Sequence, residues 1–154
     1  MKTAILHLSK TLLFERVALV TAYHGVRNDG TPCYDRVAIV EPDRPWLDTT
    51  LCHALQRVRC LFAPFLWEST TDDTPALCFD LVLRVPPSVT PSHLDRWRIL
   101  CYEYLEAAAL VEWFSISAPT MAVPWQTQRD TSWQQLSTSI KFHHRSPRTR
   151  LPPI

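Results

Sequence analysis

Glycine is nearly missing from this 154-residue chain, occurring only at Gly25 and Gly30. Phosphate-cradling loops and nucleophile elbows need glycine where backbone closes on a ligand or turns sharply, so both are excluded. Long apolar runs are also missing. No stretch approaches the about 20 apolar residues of a membrane-spanning helix. The opening Met1–Leu8 has the look of a secretory start, but its apolar run is short and meets Lys10, Glu15 and Arg16 without a small-residue cleavage site. The five cysteines are odd in number and include no close-spaced pair, which predicts free, mostly buried thiols in a reducing compartment. Acid is absent from the last fourteen residues, which hold four of the 16 lysines and arginines. The remainder of the chain is therefore net acidic.

Proline and tryptophan are plentiful, at 13 and six residues. Hydrophobic residues make up 46% and charged residues 20%, a balance that suits one globular domain with a real core. Tryptophan fills cores and anchors interfaces, so six in so short a chain place at least one at a contact surface.

Hydrophobic periodicity divides the chain. Ser9 can cap a first helix over 10–24, with Leu13, Val17, Val20 and His24 on one face and Gly25 at its C-terminal cap, although its β-branched content leaves a strand open. Asn28-Asp29-Gly30-Thr31-Pro32 is a turn cluster. A second helix begins after a candidate cap at Asp43, tolerates Pro45 in its first turn, and ends near 60–63 before Pro64. The residues Leu47, Leu51, Ala54, Val58, Leu61 and Phe65 form a heptad seam. Residues 76–85 alternate, with Leu77, Phe79, Leu81, Leu83 and Val85 on one side, and predict a strand. A strand needs a partner for its backbone groups, and residues 65–70 are the simplest one, giving a hairpin around a turn at 71–75. Thr90 or Ser92 caps a third helix to about Phe114. Its seam is Leu94, Trp97, Cys101, Tyr104, Ala108 and Val111, and a second apolar face (Leu100, Ala107, Leu110, Phe114) makes it central. Residues 115–123 are expected to loop, and Pro124 to open a fourth helix through about Lys141 with Trp125, Arg129, Trp133, Leu136 and Ile140 in a stripe. The fold class predicted is mainly α (α+β): three to four helices with one β-hairpin at about 65–85 in a domain over 1–141, followed by an extended basic arm over 142–154.

Chemistry is thin. Cys52 and Cys60 lie eight residues apart on one helix, roughly 12 Å, whereas zinc ligands converge within about 2.3 Å of one ion. Burial is the expected fate of both. Asp72-Asp73 suits a turn, and Glu103, Glu106 and Glu112 are expected on the solvent side of the third helix. The residues predict no enzyme, no metal site and no cofactor. The arm is the best candidate for contact. Prolines at 147, 152 and 153 prevent a continuing helix, and Lys141, His143, His144, Arg145, Arg148 and Arg150 form its cationic set. Arginine suits bidentate contact with carboxylate or phosphate. Extended, the arm spans about 40 Å, enough to cross a neighbouring subunit.

Several segments together resemble small virion proteins of phages and prophage-like elements of Bacteroidetes hosts. They are Leu6-His7-Leu8-Ser9-Lys10-Thr11, Thr21-Ala22-Tyr23-His24-Gly25, Glu41-Pro42-Asp43-Arg44, Leu83-Arg84-Val85-Pro86, Val111-Glu112-Trp113-Phe114 and Phe142-His143-His144-Arg145-Ser146-Pro147-Arg148. The order of elements is similar to the helical head–tail connector (adaptor) class, from which it departs in a Gln-, Ser- and Thr-rich fourth helix. The resemblance implies a homo-oligomeric ring in the virion, present in host cytoplasm before assembly. It implies partners among portal or tail proteins, possible contact with packaged DNA, and neither a membrane nor a small-molecule substrate. The alternative from the charge pattern is a nucleic-acid-associated accessory protein binding DNA or RNA through the arm.

Overall fold

A computed structural model describes residues 1–24, 38–67 and 78–144. Their order is strand β1 (Lys2–Ser9), helix α1 (Lys10–Tyr23), a 3₁₀ turn (Glu41–Asp43), helix α2 (Arg44–Phe62), strand β2 (Cys78–Val85), helix α3 (Pro91–Ser117) and helix α4 (Pro119–His144). The fold is mainly helical with one two-stranded antiparallel sheet.

The sheet differs from the expected hairpin in its principal partner. β2 pairs along its whole length with β1, from Lys2 opposite Val85 to Ser9 opposite Cys78. Residues 65–67 do approach β2 from its other edge, but only briefly. Leu66 forms an antiparallel bridge to Leu83, the Phe65 carbonyl accepts from Arg84 N–H, and Trp67 N–H donates to the Val82 carbonyl at 3.0 Å. The expected turn at 71–75 lies outside the described residues. β1 has the period-two signature of a half-buried strand: Leu6 and Leu8 are buried while Thr3, Ile5 and His7 face out. Facing them, Phe79, Leu81, Leu83 and Val85 of β2 are buried.

Ser9 caps α1 as expected, its Oγ accepting the Leu12 N–H at 3.2 Å. The buried face is Leu13, Val17 and Thr21. Thr21 takes the place expected of Val20. Its hydroxyl accepts the Ile39 N–H at 2.9 Å, which fixes the returning chain against the helix. Asp43 occupies the N-cap position of α2 as expected, but its side chain makes no cap bond to that helix. Its carboxylate accepts the Val40 N–H at 2.9 Å and closes the 3₁₀ turn instead. The predicted seam is buried at Leu47, Leu51, Ala54, Val58 and Phe65, and half-buried at Leu61. It meets the α3 seam, where Trp97, Cys101, Tyr104 and Ala108 are buried.

α3 is the central element, buried on both predicted faces. The expected loop at 115–123 is reduced to one residue, Ala118, with φ −156° between α3 and α4. A residue before proline is driven out of the α region. Pro119 therefore breaks the helix at Ala118, then starts the next at a position where its missing N–H costs nothing. Pro124 consequently lies inside α4 rather than at its start. α4 runs back along α3: Trp97 Nε1 donates to Ser139 Oγ at 2.8 Å, and the Tyr104 and Trp133 rings are 5.0 Å apart.

Two burial expectations fail. Glu106 is buried rather than solvent-facing, because Arg16 of α1 reaches it at 2.6 Å. Cys60 and Cys78 are exposed and Cys52 half-buried, so of the described cysteines only Cys101 is sealed in the core. Burial pushes its thiol pKa up to about 12, which keeps it protonated and unreactive.

Candidate interaction surfaces

The cationic set predicted from sequence divides at the end of α4. Lys141, His143 and His144 occupy its last turn, so residues 142–144 are helical rather than the start of an extended arm. The reason is local: after Pro124 the next proline is Pro147, so no proline interrupts the ladder over the last turn to His144. The Lys141 ammonium there also complements the negative end of the helix dipole. Arg145, Arg148 and Arg150 lie outside the described residues.

His143 does not project freely. Its ring centroid is 4.3 Å from that of His93 at the start of α3 and 5.8 Å from that of Trp97. His93 is fixed in turn, because Thr90 N–H donates to its Nδ1 at 3.0 Å in the α3 cap. Burial and the neighbouring His93 push the His143 pKa below its ordinary value. His144 lies edge-on to Phe65 at 5.8 Å. Lys141 and Phe142 face solvent. Between the start of α3 and the end of α4 runs a groove of about 590 Å³, lined in part by Arg96, Gln134, Thr138 and Phe142.

A second surface was not anticipated from sequence. The Phe65 and Trp67 bonds show that Val82 and Arg84 direct their backbone groups toward residues 65–67. Backbone direction alternates along a strand, so Phe79, Leu81, Leu83 and Val85 bond β1. Through the register their partners are Leu8, Leu6, Ala4 and Lys2. Thr3, Ile5, His7 and Ser9 therefore direct N–H and C=O away from β2. Ser9 N–H is satisfied by the Tyr102 hydroxyl at 2.7 Å. The outward backbone groups of Thr3, Ile5 and His7 have no backbone partner among the described residues. Folds usually guard such an edge with proline, a bulge or inward charge; β1 contains no proline, and Lys2 is its only lysine or arginine. Ile5 on its outer face is 50% exposed. The alternation of Leu6 and Leu8 was the signal that could have revealed this strand.

On α1, Leu12, Leu19 and Tyr23 recur at helical spacing along one stripe. Leu19 is 73% and Tyr23 79% exposed. Trp67 is also partly exposed, with the Arg84 guanidinium stacked 3.4 Å from its ring centroid. The remaining tryptophans are buried or half-buried against the core.

Among the described residues no group of three or more His, Cys, Asp or Glu side chains could hold a metal ion, and no helix is long and apolar enough to cross a membrane. No protein-family model, no curated protein and no solved structure matches the chain.

Proposed function

We infer that this protein is a structural subunit of a homo-oligomeric assembly, of the kind its sequence resemblance to head–tail connector proteins implies. The observation that carries this reading is the open edge of β1. Three alternate residues in a row direct backbone donors and acceptors outward, and a strand from a neighbouring copy would satisfy all of them at once. The apolar stripe on α1 supports the same reading, since leucine and tyrosine at such exposure gain most when covered.

Symmetry constrains the outcome. If β1 pairs with β1 of a second copy, the contact is isologous and closes as a dimer. If it receives a different segment of the neighbour, the contact repeats head to tail and closes as a ring. The connector reading requires the second arrangement. Residues Arg145, Arg148 and Arg150 would then add electrostatic contacts to the same neighbour or to adjoining virion proteins.

The test is the mass of the full chain in solution by light scattering, paired with retention on heparin across a salt gradient. A defined oligomer larger than a dimer supports the connector reading. A dimer supports assembly without a ring. A monomer retained on heparin with a steep salt dependence would replace this reading with nucleic-acid binding through the arm.

A further inference from the structure

A cleft of about 270 Å³ opens between α2, α3 and α4, lined by Thr50, His53, Arg57, Tyr104, Glu112 and Arg129 among others. It lies apart from the β1 edge, and its chemistry does not depend on oligomerisation.

The charges in this cleft are separated along its length. α2 and α3 run antiparallel, since Phe62 packs on Trp97 at 5.5 Å and Trp46 on Trp113 at 5.2 Å. Arg57 therefore falls beside Tyr104, and Thr50 beside Glu112. Tyr104 and Glu112 are eight residues apart on one helix, about 12 Å. One end of the cleft thus holds two guanidinium groups and a phenol. The other holds a carboxylate and a threonine hydroxyl.

The cationic end is built rather than incidental. The Arg57 guanidinium sits 5.1 Å over the Trp133 ring, which is itself packed against Tyr104. A guanidinium held over an indole face is restrained there by cation–π attraction, and its N–H groups remain able to donate. The same guanidinium lies beside Tyr104 and partly offsets the rise that burial gives its phenol pKa. Tyr104 lines the cleft and is almost wholly buried. Among the described residues no carboxylate makes an ion pair with Arg57. Arg129 comes from the third helix of the cleft, α4. Its Nε bonds Asp130 at 3.1 Å, which leaves its terminal amino groups available, and both arginines act electrostatically on Tyr104. Two guanidinium groups from separate helices, beside the buried Tyr104 and with one of them lacking a carboxylate, form the donor set that a planar or tetrahedral oxyanion accepts.

We propose that this cleft binds a small oxyanion, a carboxylate or phosphate group seated between Arg57 and Arg129 on the Tyr104 hydroxyl. Glu112 limits what the rest of the ligand can be. A second negative group reaching toward it is repelled, whereas a hydroxyl or ammonium there is accepted by Glu112 and Thr50.

The experiment is a titration of the full chain followed by the Trp133 indole and arginine Nε–H resonances in nitrogen–proton spectra. Inorganic phosphate and acetate are the two probes, with ionic strength held constant by sodium chloride. Saturable shifts confined to Trp133, Arg57 and Arg129 are the expected result. Saturation by phosphate alone assigns a phosphate group, by acetate alone a carboxylate, and by both an oxyanion site without that preference. Arg57→Gln and Arg129→Gln should each weaken binding about tenfold or more, as loss of a charge-assisted hydrogen bond does. Arg57→Lys should not restore it, because an ammonium lacks the planar fork. Both arginines are at least partly solvent-exposed, so the unchanged spectrum of the remaining residues serves as the folding control. Shifts that chloride reproduces, shifts that persist in both glutamine variants, or no saturation by either probe would each overturn the proposal.

Discussion

Replacing Arg16 with methionine tests how the N-terminal strand–helix unit is held to the centre of the fold. Arg16 reaches Glu106 at 2.6 Å, with side-chain exposures of 39% and 12%. Its guanidinium also lies 5.8 Å from the Tyr102 ring centroid, and the Tyr102 hydroxyl accepts from Ser9 N–H at 2.7 Å. Burial raises the Glu106 pKa and Arg16 only partly offsets this. Removing Arg16 leaves a nearly buried carboxylate without its counter-ion. Breaking a fully buried pair costs about 3–5 kcal/mol. The exposure of Arg16 lets water screen this one, so a loss of about 1–3 kcal/mol at pH 7 is expected. Glu106→Gln should change stability by less than about 1 kcal/mol, because it removes a desolvated charge together with the pair. The double variant should recover most of the Arg16→Met loss. The pH dependence has a definite sign. A carboxyl whose folded pKa is raised favours the fold at low pH, and that contribution is lost as pH rises through its folded value. The Arg16→Met penalty should therefore shrink toward pH 4, where Glu106 is largely protonated in both folded and unfolded chains. Urea unfolding at pH 7 and pH 4 measures all of this. Equal penalties at the two pH values, or a larger loss for Glu106→Gln than for Arg16→Met, would refute the reasoning.

Two further outcomes follow from the packing. Val58 is fully buried where α2 faces α3, so Val58→Asp should unfold the domain, since an unpaired buried carboxylate costs several kcal/mol against about 5–15 kcal/mol of total stability; circular dichroism showing an unchanged melt would contradict this. The lowered pKa of His143 means that the unfolded chain takes up its proton first as pH falls below about 6.5. Stability should therefore fall with pH until the folded value is passed, and His143→Gln should flatten that part of a stability–pH curve.

The helical core was legible because its information is local. The heptad seams of α2 and α3 name the residues that are buried, and the alternation of β2 is long enough to read alone. The missed parts depend on distant partners. β1 is eight residues long and runs directly into the Ser9 cap of α1, so the helix signal obscured the strand before it. Its pairing with β2 joins residues far apart in the chain, Lys2 with Val85 and Ser9 with Cys78, which local pattern does not encode. Glu106 looks like any exposed helical glutamate until Arg16 is placed beside it. The cleft at Arg57 and Arg129 draws on three helices and has no linear motif. Two prolines compete to open α4, and sequence alone favours Pro124, whereas Pro119 holds the first position.

Whether the outer edge of β1 is an assembly surface is decided by sedimentation velocity of the full chain with and without Ile5→Pro. Ile5 N–H points away from β2, so proline there removes no bond of the β1–β2 ladder while blocking an added strand. Leu6→Pro is the contrasting control, since Leu6 N–H faces β2 and its loss should unfold the sheet. If strand addition at this edge drives assembly, the unaltered chain sediments as an oligomer and Ile5→Pro as a folded monomer with near-native helicity. A monomeric unaltered chain, or an oligomer that survives Ile5→Pro intact, would contradict it.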